Sequence, residues 1–171
     1  MPELVPFRAL RYDDGAVGDL RDVVSPPYDV ISPAQQRALA RRHPRNVVRL
    51  DLPLAEAGDP PDERYRRAAR DLAAWRSDGT LRKDRQASVY AYEEAYTMPG
   101  SSERRVQRGF FSRLRLEEFG PGSGVIPHER TLSGPREDRY RLLRATGMNA
   151  SPVVLLFADA EGVAARALET A

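Results

Sequence analysis

The sequence contains no cysteine and only two histidines, His43 and His128. A chain without cysteine forms no disulfide, no cysteine-based zinc site and no iron–sulfur cluster, and it has no thiol nucleophile. Two histidines exclude a histidine-rich metal site. No apolar run approaches the roughly 18 residues of a membrane-spanning helix, and the N-terminus lacks the charged and apolar regions of a secretory signal. We therefore expect a cytoplasmic protein.

An excess of charge of one sign is also absent, because 27 basic residues face 25 acidic ones and leave a formal charge of +2. Lys83 is the only lysine, so nearly all basic residues are arginine. A net charge this small gives little support to nucleic-acid binding. We interpret the densest arginine cluster first as the solvated surface of a hairpin and second as an anion-binding surface. It comprises Arg104, Arg105, Arg108, Arg113 and Arg115.

The chain does have the size and composition of one globular domain, with 171 residues of which 41% are hydrophobic and 30% charged. A chain of this length buries roughly two-thirds of its unfolded surface, which is enough for a hydrophobic core. We predict a single α+β domain over residues 1–171. Its mixed sheet has about six strands, includes a long antiparallel hairpin and is flanked by about four helices.

Several segments carry the start and stop signals of helices. Ser32, Pro33 and Gln35 match a capping box, which predicts a helix that ends near His43. The next predicted helix has apolar side chains at helical spacing and a glycine, Gly79, as its stop. This helix and two later ones are predicted at residues 62–77, 135–147 and 161–171.

Alternating or continuous apolar runs predict the strands. Three tyrosines share one face of the stretch ASVYAYEEAYTM, and the stretch VQRGFFSRLRL alternates again, which predicts the long hairpin. We interpret the aromatic stripe as packing rather than as a base-stacking platform. The run PVVLLFAD has the continuous apolar pattern of a buried central strand. Further strands are predicted at residues 4–11 and 46–52.

The common catalytic and nucleotide-binding motifs are missing. The chain contains no GxxxxGK[ST] loop, no GxGxxG, no GxSxG and no HExxH. These absences remove the usual P-loop, dinucleotide-binding, serine-hydrolase and zinc-protease interpretations. Candidate chemistry is therefore confined to three polar loops.

The first loop is SPPYD, in which two prolines stiffen the backbone and remove two amide donors. It presents a hydroxyl, a phenol and a carboxylate on Ser25, Tyr28 and Asp29, next to Pro27. Rigid loops hold site residues at low entropic cost, although many proline turns are only turns. The loop is thus either a binding element or a purely structural turn.

The second loop is HERT, residues 128–131, at the junction of a short apolar segment and a helix. His128 and Glu129 could serve as acid and base, or Glu129 as a magnesium ligand, because His titrates near neutrality and magnesium prefers carboxylate oxygen. Adjacent side chains point apart in extended structure, so the pair needs a turn to face one target. The alternative is a surface histidine beside a helix-leading acid.

The third loop is the helix start SGPREDR, which contains Asp138 and Arg139 and is followed later by Asn149. Backbone amides at a helix N-terminus attract phosphate, and Gly134 permits a close approach. This end of the helix is a candidate anion site.

Three motifs occur in a fixed order: FRALR with SPPYDVIS, then GVIPHERT with EDR, then NASPV. Together they resemble the bacterial and archaeal family known as domain of unknown function 1015, along essentially the whole chain. Members of that family are more than twice as long, and their later half carries a Gly-His-His-Arg motif that this sequence lacks. The resemblance implies that the chain is the truncated N-terminal half of a longer protein, with the C-terminal half as a partner.

The family is distantly similar to the ParB and sulfiredoxin-like fold, which includes CTP-hydrolysing DNA clamps, an ATP-dependent sulfinic acid reductase and free-serine kinases. The resemblance therefore implies nucleotide binding, with ATP or another nucleotide and magnesium as cofactors. It implies that SPPYD forms one pocket wall and that HERT, including Thr131, forms a second wall with Asp138 and Arg139. Glu129, His128 and Asp29 are then the catalytic candidates, and Arg139 steadies the transferring phosphoryl group. No residue is assigned as a dedicated metal ligand.

The resulting first hypothesis is a nucleotide-dependent phosphotransferase or phosphohydrolase, similar to a serine kinase, that acts on a small hydroxylated metabolite. The second is a nucleotide-gated DNA-binding protein of the ParB type, whose affinity for DNA would fall steeply with salt. The third is a non-catalytic interaction domain that binds no small molecule. The enzyme hypotheses require the proline loop and the HERT corner to converge on one cleft.

Overall fold

In the computed structural model, residues 2–127 and 132–170 are described, and they divide into two compact units. The core unit is the described part of residues 10–83 and 129–153. The hairpin unit is the described part of residues 1–9, 84–128 and 154–171. Helices and antiparallel strands occupy separate segments, so the predicted α+β class is confirmed.

The strands differ from the predicted mixed sheet. In the described residues they form three separate two-stranded antiparallel sheets. The sheets pair β1 (Leu4–Val5) with β6 (Arg113–Leu114), β2 (Leu10–Tyr12) with β3 (Leu81–Lys83), and β4 (Tyr90–Thr97) with β5 (Arg104–Phe111). The pairing of β4 with β5 matches the predicted long hairpin only loosely, because β5 ends at Phe111 and the following strand β6 pairs with β1. Its register places Tyr90, Tyr92 and Tyr96 on one face.

Seven helices and one 3₁₀ turn lie in the described residues. They are α1 (Asp14–Val17), α2 (Leu20–Val23), the 3₁₀ turn (Tyr28–Val30), α3 (Pro33–Arg42), α4 (Val48–Asp51), α5 (Glu63–Ser77), α6 (Ser133–Thr146) and α7 (Val163–Glu169). None of these helices is long and apolar enough to cross a membrane.

The long helices begin and end close to where the sequence predicts. The Ser32 hydroxyl accepts from the Gln35 amide while the Gln35 side chain accepts from the Ser32 amide, which confirms the capping box of α3. Helix α6 begins at Ser133 and ends before Gly147, whose φ of 63° lies in the left-handed region. Because such caps are made by residues a few positions apart, they are visible in the sequence.

The hydrophobic core lies in the core unit. Helix α5 buries one face there, with Trp75 only 1% exposed. Burying an indole of this size removes a large apolar area from water and stabilises the unit. The other buried apolar side chains of the core unit are Val17, Val23, Leu39, Ala40, Val48, Leu50, Tyr65, Ala68, Leu72, Leu81 and Leu142.

The predicted strand at residues 46–52 is wrong, because this segment forms a turn and helix α4. Asn46 is fully buried, and its amide nitrogen donates to the carbonyls of Asp22 at 2.8 Å and Val24 at 3.1 Å. Its side-chain oxygen accepts from the Val48 amide at 3.0 Å. This local acceptor holds the backbone in a helical turn and so overrides the β-branched composition.

The hairpin unit has no buried side chain among its described residues. The run PVVLLFAD, predicted to be a buried strand, forms no strand, and Leu156 is 93% exposed. Its apolar composition is that of a central strand, but a strand also needs a neighbour for its amides and carbonyls. No described strand pairs with this run, so composition alone misplaces it.

Candidate functional site

The proline loop leads directly into the 3₁₀ turn. Pro27 is extended, with φ of −53° and ψ of 141°, and its carbonyl accepts from the Val30 amide at 3.2 Å. The turn therefore starts at Tyr28, whose side chain is half-buried, while Asp29 is exposed. A ring that follows two fixed proline φ angles is held in place at small entropic cost.

Tyr28 meets helix α6 through Arg139. The guanidinium carbon of Arg139 lies 4.0 Å from the centroid of the Tyr28 ring, within the range of a cation–π interaction. Arg139 is the last residue of the EDR motif, in which the sequence analysis named Asp138 and Arg139 as site candidates. The proline loop and the EDR segment therefore touch inside the core unit.

Two aspartates share the guanidinium of Arg139. Its Nε and Nη2 donate to Asp138 Oδ2 at 3.0 and 2.5 Å. Its Nη1 donates to the Asp51 carbonyl at 2.7 Å and to Asp51 Oδ1 at 2.9 Å. Only 18% of the Arg139 side chain is exposed, so these bonds lie in partly desolvated surroundings where they are strong.

Asp51 also connects the NASPV motif to this cluster. The Ser151 hydroxyl donates to Asp51 Oδ1 at 3.0 Å. Burial raises the pKa of Asp51 above its ordinary value, and the Ser151 hydrogen bond and the charge of Arg139 only partly oppose that effect. Asp51 is therefore a carboxylate with increased proton affinity, held beside a hydroxyl group.

Asp138 also binds two residues at the start of α5. Its Oδ1 accepts from the Tyr65 hydroxyl and from Arg64 Nη2, both at 2.7 Å. Burial acts to raise the pKa of Asp138, but the hydrogen bonds from Tyr65 and Arg139 and the nearby arginine charges outweigh it, so the pKa is lowered. Asp138 is therefore held as a carboxylate.

We refer to this cluster as the Arg139 network, and it lies entirely within the core unit. Two arginines and two aspartates balance one another's charge, and three hydroxyl-bearing side chains surround them. Its members are Tyr28, Asp51, Arg64, Tyr65, Asp138, Arg139 and Ser151.

A cavity of about 300 Å³ opens beside the network. Arg64 and Tyr65 line it, and both also bind Asp138. The lining carries charges of both signs, because Arg64 and Arg141 lie beside four carboxylates and each of these carboxylates is paired with an arginine. Such a lining offers hydrogen-bond donors and acceptors to a hydroxylated molecule. The acidic lining residues are Glu56, Asp59, Asp62 and Glu63.

The predicted site residues are distributed unevenly. Tyr28, Asp138 and Arg139 belong to the network. Ser25 is half-buried in the same loop, whereas Pro27 and Asn149 are exposed. Asp29, also exposed, makes none of the network's hydrogen bonds in the described part of the chain. The remaining candidates, His128, Glu129 and Thr131, lie outside the described residues.

Four members of the network were missed by the sequence analysis: Asp51, Arg64, Tyr65 and Ser151. Ser151 lies inside the NASPV motif and carries a hydroxyl, so the motif itself held a signal for it. Asp51 was assigned to a predicted strand, and its role emerges only when α4 is seen beside α6. Residues 64 and 65 gave no signal beyond the amphipathic pattern of α5.

Among residues 2–127 and 132–170, no group of three or more histidine or acidic side chains is arranged to hold a metal ion. The carboxylates of Asp51 and Asp138 each form an ion pair with Arg139.

Comparison with known proteins assigns a family. The family model described as "Protein of unknown function (DUF1015)" matches residues 4–171. No curated protein and no solved structure matches the chain. Because the family model covers nearly the entire sequence, the chain belongs to the DUF1015 family.

Proposed function

We propose that this DUF1015 protein is a nucleotide-dependent phosphotransferase or phosphohydrolase that acts on a small hydroxylated metabolite, in the manner of a serine kinase. Its second substrate is ATP or another nucleotide, supplied as the magnesium complex. A distant relation to the ParB and sulfiredoxin-like fold is part of this proposal.

The observation that supports the proposal is the convergence of three separate motifs on Arg139. Tyr28 of SPPYD stacks on its guanidinium, Asp138 of EDR binds it, and Ser151 of NASPV reaches it through Asp51. Aromatic, cationic, acidic and hydroxyl groups so close together are the groups that enzymes use to orient phosphates and to move protons.

Among the described residues, the start of α6 leaves room for a phosphate. No described side chain caps this 14-residue helix at Leu132, and a Cβ placed on Gly134 would meet no described atom within 4 Å. Amides at such an end favour a negatively charged group. We assign phosphate binding to this helix end together with Ser25 and Tyr28 of the proline loop.

Magnesium bound to the nucleotide neutralises phosphate charge and orients the phosphates for transfer. The chain's own residues have different tasks. Arg139, with its donors already engaged by Asp51 and Asp138, acts as a positioning residue that fixes both carboxylates. The cavity lined by Arg64 and Tyr65 is the assigned place for the hydroxylated substrate.

Binding is tested by thermal shift and calorimetry on the full chain with ATP, ADP and CTP, each with magnesium. A ligand at about 100 times its Kd stabilises the protein by about 2.7 kcal/mol. Tyr28→Leu should weaken nucleotide affinity at least tenfold. Tyr140→Leu, which changes an exposed tyrosine on α6, is the matched control and should leave affinity unchanged.

The outcomes separate the alternatives. Nucleotide binding that Tyr28→Leu weakens supports the proposal, as does turnover of a hydroxylated substrate. Nucleotide-dependent binding of DNA, with log affinity falling steeply against log salt, would instead indicate a ParB-like role. A protein that binds none of these nucleotides would contradict the proposal and leave an interaction domain.

A further inference from the structure

Ser151 and Asp51 form a pair that the sequence analysis did not assign to any role. Their oxygens lie 3.0 Å apart, and the Ser151 hydroxyl donates to Asp51 Oδ1. Arg139 Nη1 also binds Asp51 through two hydrogen bonds, one to the Asp51 carbonyl and one to the same Oδ1. A nucleophile, an adjacent base and a third group that orients the base is the arrangement that activates serine in covalent catalysis.

We propose that Ser151 is a phosphoryl acceptor, activated by Asp51, and that the enzyme works through a phosphoserine intermediate. This inference rests on the proposed function, which supplies the nucleoside triphosphate as phosphoryl donor. It adds the residue that carries the phosphoryl group between the two substrates.

In the first transfer, one oxygen–phosphorus bond forms and another breaks. The Ser151 Oγ attacks the γ-phosphorus and forms a new oxygen–phosphorus bond, while its proton passes to Asp51 Oδ1. The bond between the γ-phosphorus and the bridging oxygen breaks, and the nucleoside diphosphate leaves with that electron pair. When a substrate hydroxyl or water then attacks the phosphoserine, its own proton goes to solvent. The departing Ser151 oxygen takes back the proton held by Asp51.

The surroundings of the pair suit these tasks. Ser151 is only partly buried, so a phosphate can approach its oxygen. Asp51 is 13% exposed at its side chain, and its raised pKa makes it a stronger proton acceptor than an ordinary aspartate. Asp138 is less suited, because hydrogen bonds from Tyr65 and Arg139 lower its pKa and occupy both of its oxygens.

The experiment incubates the full chain with ATP and magnesium, and separately with CTP and magnesium, followed by acid quenching, intact mass measurement and peptide mapping. We expect a mass gain of one phosphoryl group on Ser151. Ser151→Ala should abolish the gain, and Asp51→Asn should slow its appearance about 100-fold or more. The matched control is Ser77→Ala, an exposed serine of the same unit, which should label like the parent protein.

A second measurement needs no nucleotide. A fluorophosphonate probe should modify Ser151 in the parent protein and in Ser77→Ala, and it should react about 10-fold or more slowly with Asp51→Asn. This arm reports the activated serine directly. It therefore separates a failure of the nucleophile from a failure of the nucleotide hypothesis.

Each result decides a specific point. Nucleotide binding without phosphorylation of Ser151 would overturn the inference and leave the proposed function standing. A phosphoryl group released by hydroxylamine would place it on a carboxylate and would also overturn the inference. Probe labelling of Ser151 in a protein that binds no nucleotide would support the nucleophile and contradict the proposed donor. Absence of probe labelling would contradict the activated serine.

Discussion

The core unit and the hairpin unit differ in how their apolar residues are used. In the core unit, Trp75, Leu50 and Leu142 are each at most 2% exposed. In the hairpin unit, Val106 is 49% exposed and Phe157 is 60% exposed, and no described side chain is buried. Both units carry apolar patterns, so pattern alone does not produce a core. What differs is whether a second element covers the apolar face.

The candidate functional groups lie in the unit that has the buried core. The Arg139 network lies in the core unit, where α4, α5 and α6 fix the backbones of five of its seven members, while Tyr28 lies in the 3₁₀ turn and Ser151 in a bend. Sites on packed helices hold their geometry better than sites on exposed strands. The paired strands of the hairpin unit hold a register but bury little, and a two-stranded hairpin alone is marginally stable in water. The proposed function therefore places its site in the core unit.

The largest effect that tests this comparison comes from Trp75. Trp75→Ala should lower the free energy of unfolding by about 3 to 5 kcal/mol, because it removes a fully buried indole and leaves a cavity. Urea denaturation followed by circular dichroism measures this. Val106→Ala in the hairpin unit is the control and should change the value by about 0.5 kcal/mol at most. Equal losses from both variants would contradict the difference between the units.

The next effect comes from the Arg139 network. Arg139→Gln should lower the free energy of unfolding by about 1.5 to 3 kcal/mol, because hydrogen bonds to two partly buried carboxylates are lost. Arg141→Gln, on the same helix with 49% of its side chain exposed, is the control and should cost less than about 1 kcal/mol. A loss for Arg141→Gln as large as that for Arg139→Gln would show that the network adds no special stability.

A smaller effect is expected in the exposed apolar run. Leu156→Asp should change the free energy of unfolding by less than about 0.5 kcal/mol, because Leu156 is 93% exposed. If this run were the buried strand that its sequence suggests, an unpaired aspartate there would unfold the protein. Denaturation curves for the variant and the parent protein decide between the two placements.

The pH dependence of stability sharpens the comparison further. The pKa of Asp138 is lower in the folded than in the unfolded chain, so its stabilising contribution is present above about pH 4 and is lost as pH falls through the folded-state pKa. Asp138→Asn should therefore flatten the acid side of the stability curve. Asp51 acts with the opposite sign, because its raised pKa favours folding at low pH and that contribution is lost as pH rises through the folded-state value.

Denaturation midpoints across the acid range measure this dependence. Glu118→Gln, which removes an exposed carboxylate of the hairpin unit, is the control and should keep the acid sensitivity of the parent protein. If Asp138→Asn kept the full acid sensitivity of the parent protein, the Asp138 contribution would be contradicted.

Much of the local structure was predictable. Ser32 and Gln35 mark the start of α3, and Gly147 follows the end of α6, because each signal depends on residues within one or two helical turns. The run PVVLLFAD was not predictable in the same way. Its composition fits a buried strand, yet a strand is buried only if a partner strand pairs with it. That partner would come from another part of the sequence, and no described strand pairs with this run.

The residues of the candidate site were likewise predictable only in part. Tyr28, Asp138 and Arg139 were named from motifs that carry suitable chemistry. Asp51 was not, because it lies in a segment that was predicted as a strand and forms α4, where the buried Asn46 accepts from the Val48 amide. Sequence motifs therefore indicated the chemical groups, and packing selected which of them meet.

The sequence by itself determined the α+β class, the caps and ends of the long helices and the hairpin between β4 and β5, since these depend on hydrogen bonds and side-chain periodicity within short stretches. Only the tertiary structure decided that Arg139 joins Tyr28 to Asp51, and that the apolar run at residues 152–159 is exposed. Those outcomes depend on contacts between segments far apart in the chain, and a single residue's properties do not specify its distant partner.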